Sequence, residues 1–165
     1  MKIQEEHKFH GAALIQIAEH PRFTAINPLV LSGKSMKNFY RINDKIAVYL
    51  RYANTTTRTH KEHVFTFNQE HFNTLHSVLD TVDEIFIVFV CAIGKEICCV
   101  PYFELLTMKF DRDGYSTIKT KSYSFMVTVQ KGKQMRLYQN QPGTRNTILD
   151  KSLLVKRKSF PDILF

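Results

Sequence analysis

One stretch near the middle of the chain, Glu84–Leu106, restricts the fold more than any other. Its first part, Ile85–Cys91, reads IFIVFVC, and every residue in it is apolar, with β-branched and aromatic side chains predominating. A strand with one face in water alternates apolar and polar residues, whereas a strand covered on both faces does not. The run therefore predicts an interior strand of a sheet that carries a packed layer on each side.

The three cysteines of the chain, Cys91, Cys98 and Cys99, all lie in this stretch. After a turn at Gly94, the segment EICCVPY predicts a returning strand, which Pro101 closes or places at a sheet edge. Neighbouring residues of a strand point to opposite faces, so Cys98 and Cys99 cannot chelate one metal ion together. An odd cysteine count also argues against a disulfide framework. The sequence thus predicts buried structural thiols rather than a metal or redox site.

Two segments have the periodicity of helices that pack by one face. Residues 3–19 carry apolar side chains at helical spacing, and this helix is predicted to end before Pro21, which disfavours helical backbone at His20. Residues 69–82 follow Asn68, a residue type that is favoured as a helix N-cap. Their apolar side chains share one face: Phe72, Leu75, Val78, Leu79 and Val82.

The remaining regular segments predict strands. Extended segments are expected at 23–30, at 39–53 as a hairpin with a turn at Asn43-Asp44, and at 63–67, 115–121, 123–130 and 135–138. One or two helical turns are expected at 103–108, and a turn at 111–114. This order of elements predicts an α+β domain over residues 1–165, with a mixed or mostly antiparallel sheet and two main helices packed on it.

The charge of the chain is concentrated in two blocks. The net charge is +8, from 23 lysines and arginines against 15 acids. Residues 34–61 contribute +6 and residues 114–158 contribute +9, while the rest of the chain contributes −7. Such blocks predict either a basic surface that attracts phosphate backbones and other polyanions, or a solvated face that keeps the protein soluble.

The sequence also bears on the compartment. No apolar run approaches the length that spans a bilayer; the longest is Ile85–Ile93. The first residues, MKIQEEHKFH, carry charges where a secretory signal needs an apolar block. These features predict a cytoplasmic protein with no membrane partner.

Six residues are the candidates for nucleic-acid contact. The alternation of KIAVYLRYA puts Tyr49 and Arg51 on one face of a strand, where a cation beside a tyrosine can hold a phosphate and stack on a base. The candidates in the adjoining loop and at the tip of the last hairpin are Arg58, Lys61, Lys131 and Lys133. The alternative for Tyr49 and Arg51 is an ordinary exposed strand face with a cation–π pair.

Familiar catalytic and metal patterns do not match the sequence. His60 and His63 have ligand-like spacing but no cysteine or acid in a fixed pattern beside them, and no zinc spacing rule is met. His71 and His76 project about 140° apart on their helix, which prevents joint chelation. The chain has neither a glycine-rich phosphate loop nor a nucleophile elbow. No metal site or cofactor is therefore predicted from these patterns.

The order helix, hairpin, strand, amphipathic helix, interior strand over residues 3–100 resembles the core of the restriction-endonuclease-like nucleases, the PD-(D/E)XK superfamily. The resemblance implies an acid near the hairpin, here Asp44, and a (D/E)-x-K tripeptide on the next strand, which together bind Mg²⁺ and activate water. The tripeptide in this chain is Tyr49-Leu50-Arg51, which lacks the acid and has arginine in place of lysine. A single carboxylate holds magnesium weakly.

Three functions follow as hypotheses. The leading one is nucleic-acid binding by a basic surface, in a DNA-processing or defence system. The second is a metal-dependent nuclease with an unusual site, so the sequence leaves open whether the protein is an enzyme. The third is a small subunit of a larger complex, docked through the apolar residues of the tail, for which packing on their own chain is the favoured alternative: Phe160, Ile163, Leu164 and Phe165.

Overall fold

A computed structural model describes residues 1–115, 122–139 and 152–165. The helices within these ranges are α1 (Glu5–Ala18), α2 (Gln69–Leu79) and α3 (Tyr102–Tyr115), with a 3₁₀ turn at Asp162–Leu164. The strands are β1 (Ile26–Leu31), β2 (Lys34–Ile42), β3 (Ile46–Ala53), β4 (Glu62–Asn68), β5 (Glu84–Cys91), β6 (Glu96–Pro101), β7 (Ser122–Thr128), β8 (Met135–Gln139) and β9 (Leu153–Val155). The predicted α+β class is confirmed.

The described strands form two sheets rather than the single sheet that the sequence predicted. The first has the order β1-β2-β3-β5-β6, in which β3 and β5 are parallel and the other pairs are antiparallel. The second has the order β4-β7-β8-β9 and is antiparallel throughout. The chain leaves the first sheet after β3, contributes β4 to the second, and returns through α2 to place β5 beside β3.

Strand β5 lies between β3 and β6 and is buried on both faces, as the apolar run predicted. Ile87 and Phe89 face the inner layer, which lies between the two sheets, and they are fully buried. Val88 and Val90 face the outer layer, which is formed by α1 and the C-terminal tail. Burial of each such side chain contributes about 1.5–3 kcal/mol, so β5 holds both layers to the sheet.

The inner layer is rich in aromatic rings from both sheets. The Phe89 ring of β5 lies 4.6 Å from the Phe65 ring of β4, centroid to centroid, and Phe67 lies 5.3 Å from Phe125 of β7. Helices α2 and α3 close this layer, α2 through Phe72, Leu75 and Val78, and α3 through Tyr102 and Leu105. Because of these contacts, the second sheet covers one face of β3 and β5.

The outer layer explains where the apolar tail goes. Phe160 and Leu164 are buried with Ala13 and Ile17 of α1. The ring of Phe165 stacks on His20 with 4.1 Å between centroids. The tail therefore packs on its own chain, which was one of the two alternatives, and these side chains are not a free docking surface.

Local sequence signals explain several element boundaries. Asn43 and Asp44 both have positive φ, 50° and 57°, and occupy the predicted turn between β2 and β3. The Asn68 side chain accepts a hydrogen bond from the His71 amide at 2.9 Å, which confirms Asn68 as the N-cap of α2. The expected helices at 3–19 and 69–82 correspond to α1 and α2 with shorter ends.

The region after β6 differs from the sequence-based prediction. Helix α3 continues through residues 111–114, where a turn was expected, and it includes Tyr115, the first residue of a predicted strand. Its inner face is apolar at a spacing of three, with Tyr102 and Leu105 buried. Tertiary packing of that face outweighs the cost of about 1 kcal/mol that a glycine, here Gly114, adds to a helix. The rest of the predicted strand, 116–121, lies outside the described residues.

The turn between β5 and β6 connects the two sheets at one end of the molecule. The Gly94 amide donates a hydrogen bond to His63 Nε2 of β4 at 3.3 Å. A Cβ built on Gly94 would lie 2.9 Å from Cβ of Val129, the residue that follows β7. The close approach requires a residue without a side chain at position 94. The histidine is buried, and this burial lowers the pKa of His63, which favours the neutral, hydrogen-bond-accepting ring.

We expect the three cysteines to react slowly with a thiol reagent in the folded protein and fully after denaturation. Burial raises the pKa of the Cys98 thiol to about 12 and raises those of Cys91 and Cys99 as well, so little nucleophilic thiolate forms at neutral pH. Timed labelling followed by mass spectrometry measures the rates. Rapid labelling of two or more thiols in the native state would contradict the buried-sheet interpretation.

We expect Gly94→Ala to lower the free energy of unfolding by about 1–3 kcal/mol, because Val129 must move to admit the added carbon. Gly11→Ala in α1 is the matched control. Its added carbon meets nothing within 4 Å, and alanine favours the helix by about 0.5–1 kcal/mol. Urea denaturation of the three proteins measures both changes. Equal stability of Gly94→Ala and the wild type would show that the sheets do not meet at Gly94.

Candidate nucleic-acid interface

The ends of four strands bring distant basic segments together. In the second sheet, Glu62 at the start of β4 pairs with Thr128 at the end of β7, and Thr128 pairs with Arg136 of β8. Met135 at the start of β8 pairs with Val155, the last residue of β9. The segments before β4, between β7 and β8, and after β9 therefore leave the sheet at the same end.

The turn between β5 and β6 lies at this end too, because Gly94 bonds to His63 and approaches Val129. After β9, the chain is held by Arg157, whose Nη2 donates to the carbonyl of Gln130 at 3.0 Å. Four segments that are far apart in sequence thus converge. We call the surface they form the basic end; its exposed cations are Arg58, Lys61, Lys95, Lys131, Lys133, Lys156 and Lys158.

Two acids at the basic end, Glu62 and Glu96, are bonded to neighbouring protein side chains. Glu62 is only 2% exposed, and its carboxylate accepts hydrogen bonds from the hydroxyls of Tyr138 and Thr57. Glu96 accepts an ion pair from Arg157 at 3.2 Å. The seven exposed cations consequently face solvent while these two carboxylates are turned to protein partners.

The predicted interface residues divide into two groups. Arg58, Lys61, Lys131 and Lys133 are exposed and lie together at the basic end, so parts of the two charge blocks meet. Sequence reasoning did not single out Lys95, Lys156 or Lys158. Lys156 and Lys158 belong to the second basic block, and this was the sequence feature that could have identified them as candidates. Lys95 lies in the acidic remainder of the chain, where no such feature pointed to it.

Tyr49 and Arg51 do not belong to the basic end, and the strand face that carries them is not exposed as predicted, although the cation–π pair of the alternative is present, with the Arg51 guanidinium carbon 6.0 Å from the centre of the Tyr49 ring. Tyr49 is 4% exposed and its ring stacks on Phe39 at 4.2 Å. Arg51 is half-buried, and its Nη2 donates to the Thr66 carbonyl at 2.9 Å. The sequence pattern gave the correct face of β3, but the second sheet and α2 cover that face.

Arg51 lies in a cleft of its own. Its guanidinium carbon lies 5.3 Å from the centre of the Phe67 ring, and Nη1 donates to the Tyr49 hydroxyl at 3.2 Å. The Arg51 cleft has a volume of about 450 Å³ and is bounded by residues 36–39 of β2, by β3 and by the first turns of α2. Thr66 lies four residues along β4 from Glu62, so the cleft is roughly 13 Å from the basic end.

Asp44, the candidate nuclease acid, is exposed in the turn between β2 and β3. It precedes β3, whereas Lys95 follows the strand β5 that runs parallel to β3. The eight residues of β3 separate the two ends by roughly 26 Å. Asp44 is thus remote from the basic end, and the nuclease hypothesis with its magnesium ion stays a prediction.

The described histidines have separate environments. His63 is buried between Val127 and Gly94, and His10 is buried in α1 beside Tyr52. Within the described ranges, no group of three or more His, Cys, Asp or Glu side chains is spaced to hold a metal ion. None of the helices in those ranges has both the length and the apolar character that a membrane crossing needs.

Comparison with known proteins gives no relative for this chain. No protein family, no curated protein and no solved structure matches it. The resemblance of the element order to restriction-endonuclease-like nucleases accordingly stays a prediction.

Proposed function

We propose that the protein binds nucleic acid through the basic end, mainly by contacts to the phosphate backbone. The observation that carries this proposal is the convergence of seven exposed lysines and arginines from four separate segments. Such a concentration of positive charge raises the local concentration of a polyanion and releases condensed counterions when the polyanion binds.

The shape of the basic end fits a backbone rather than a single phosphate. Its cations follow the ends of β4, β7, β8 and β9, which span three inter-strand spacings of about 4.8 Å, or roughly 14 Å. Lys95 adds a cation from the first sheet. A row of this length contacts several phosphates at once, and flexible lysine side chains hold phosphates as point charges without reading bases. We therefore expect little sequence preference.

We predict that Arg58→Ala with Lys61→Ala, and separately Lys131→Ala with Lys133→Ala, weaken binding to a mixed-sequence DNA or RNA. Each lost phosphate contact should make the slope of log affinity against log salt shallower by about 0.9. The affinity of the wild type and both variants, measured over a series of salt concentrations, tests this. All four residues are exposed, so stability should change by no more than about 0.5 kcal/mol.

Arg22→Ala with Lys45→Ala is the matched control. It removes the same charge from exposed residues beside the turn between β2 and β3, where Asn43 Nδ2 donates to the Arg22 carbonyl at 2.7 Å, and this turn lies at the opposite end of β3 from the basic end. The control should keep the wild-type salt slope. Failure of the wild type to bind at low salt would overturn the proposal, and equal weakening in the control would show that only net charge matters.

A further inference from the structure

The Arg51 cleft contains two hydrogen-bond donors that face each other. His71 Nδ1 accepts the backbone N–H of Asn68 at 3.0 Å, as part of the cap of α2. An acceptor at Nδ1 requires that the proton of a neutral ring lie on Nε2. Arg51 Nη1 lies 3.4 Å from that Nε2, and a guanidinium has no lone pair to offer. The pair therefore leaves N–H hydrogens directed toward a shared space without an acceptor.

The guanidinium of Arg51 keeps hydrogens available for a ligand. Nη1 uses one hydrogen for the Tyr49 hydroxyl and Nη2 uses one for the Thr66 carbonyl. Each of these nitrogens carries two hydrogens, so one remains on each. The two contacts fix the plane of the guanidinium, and a fixed fork of donors matches two oxygens of a phosphate or carboxylate.

The charges that surround this fork come from four elements. Strand β3 contributes Arg51, and α2 contributes His71 and the exposed Glu70. Strand β2 contributes Lys37. Helix α1 contributes Glu6, which pairs with Lys37 at 3.3 Å, and His10, whose pKa is lowered by burial and by the charges of Arg51 and Lys37. Burial and the charge of Arg51 lower the pKa of His71, while Glu70 opposes this shift. An anion between Arg51 and His71 would oppose the effect of Arg51 and favour the imidazolium, whose protonated Nδ1 would give up the hydrogen bond from the Asn68 amide.

The backbone beside the cleft is irregular in a way that shapes the cavity. Pro28 pairs with Tyr40 and Val30 pairs with Ser35, so residues 36–39 of β2 face a single residue of β1. Asn38 within this segment has a φ of 66°, in the left-handed region. Bulges and strained residues of this kind concentrate at binding sites, where they redirect the chain. Here the bulged segment forms the outer wall of the cleft.

From this arrangement we propose that the Arg51 cleft binds the phosphate group of a ligand, with oxygens held by the Arg51 guanidinium and by His71 Nε2–H. A volume of about 450 Å³ exceeds that of a phosphate ion and admits an attached organic group. The phosphate comes from a small phosphorylated molecule or from the end of a nucleic-acid strand. The site is separate from the basic end, so it does not depend on the proposed function.

The test is a titration of the full-length protein with inorganic phosphate, followed by NMR of the histidine ring nitrogens. We expect saturable shifts of the His71 ring signals, while those of His76, exposed farther along α2, stay unchanged. His71→Asn retains an acceptor near the Nδ1 position but removes Nε2–H, and should bind at least about tenfold more weakly. His76→Asn is the matched control and should bind as the wild type does.

A pH series with sulfate, whose charge does not change over the range, distinguishes direct contact between His71 and the anion from a purely structural role of His71. A bound anion raises the pKa of His71 from its lowered value, so binding takes up a proton. Affinity should rise as the pH falls through the pKa of the bound state and level off below that of the free state. A pH-independent affinity would contradict contact between the anion and the imidazole.

The source of the phosphate is distinguished with a short oligonucleotide, 5′-phosphorylated or not, added to the Lys131→Ala, Lys133→Ala protein. A strand end is supported if the His71 signals shift only with the 5′-phosphorylated oligonucleotide and shift at lower concentration than with inorganic phosphate. A small phosphorylated molecule is supported if the 5′-phosphorylated oligonucleotide acts no more strongly than inorganic phosphate. An unmoved His71 with every anion overturns the proposal, and this readout on the wild type decides even if His71→Asn fails to fold.

Discussion

The double burial of β5 is the constraint on which the rest of the structure depends. An eight-residue strand with apolar side chains on both faces needs a layer on each side, and the chain supplies α1 with its tail on one side and the second sheet with α2 and α3 on the other. Both layers then meet the same strand. The turn after β5 consequently lies against the second sheet, where Gly94 approaches His63 and Val129.

That single junction also organises the charged surface. The Gly94 turn, the β7–β8 turn and the end of β9 are held together by the Gly94–His63 and Arg157–Gln130 hydrogen bonds and by the pairing of β8 with β9, so lysines from each of them project from one end of the molecule. Repulsion among them is tolerated because lysine side chains are long and hydrated, and salt screens exposed charges over about 8–10 Å. A nucleic-acid backbone would compensate the same charges by direct contact.

The Arg51 cleft is formed by the same packing of the second sheet on the first, at a distance from the basic end. The second sheet and α2 cover the face of β3 that carries Tyr49 and Arg51, so the guanidinium is half-buried and donates to the Thr66 carbonyl. The cap of α2 fixes the tautomer of His71 beside it. A cation that sequence reasoning placed on an open binding surface becomes one half of a recessed donor pair, which suits one phosphate better than a backbone.

The sequence by itself determined the interior strand β5, the opposite faces of Cys98 and Cys99, the N-cap at Asn68 and the turn at Asn43-Asp44, because each depends on residues close in the chain. Only the tertiary structure decided that the strands form two sheets, that α3 continues past residue 111, that Tyr49 is buried, and that Lys95 joins the basic end. These outcomes depend on which apolar faces meet across long sequence separations. Local propensity is too weak to specify those contacts, whereas the shared burial of large side chains is strong enough to select them.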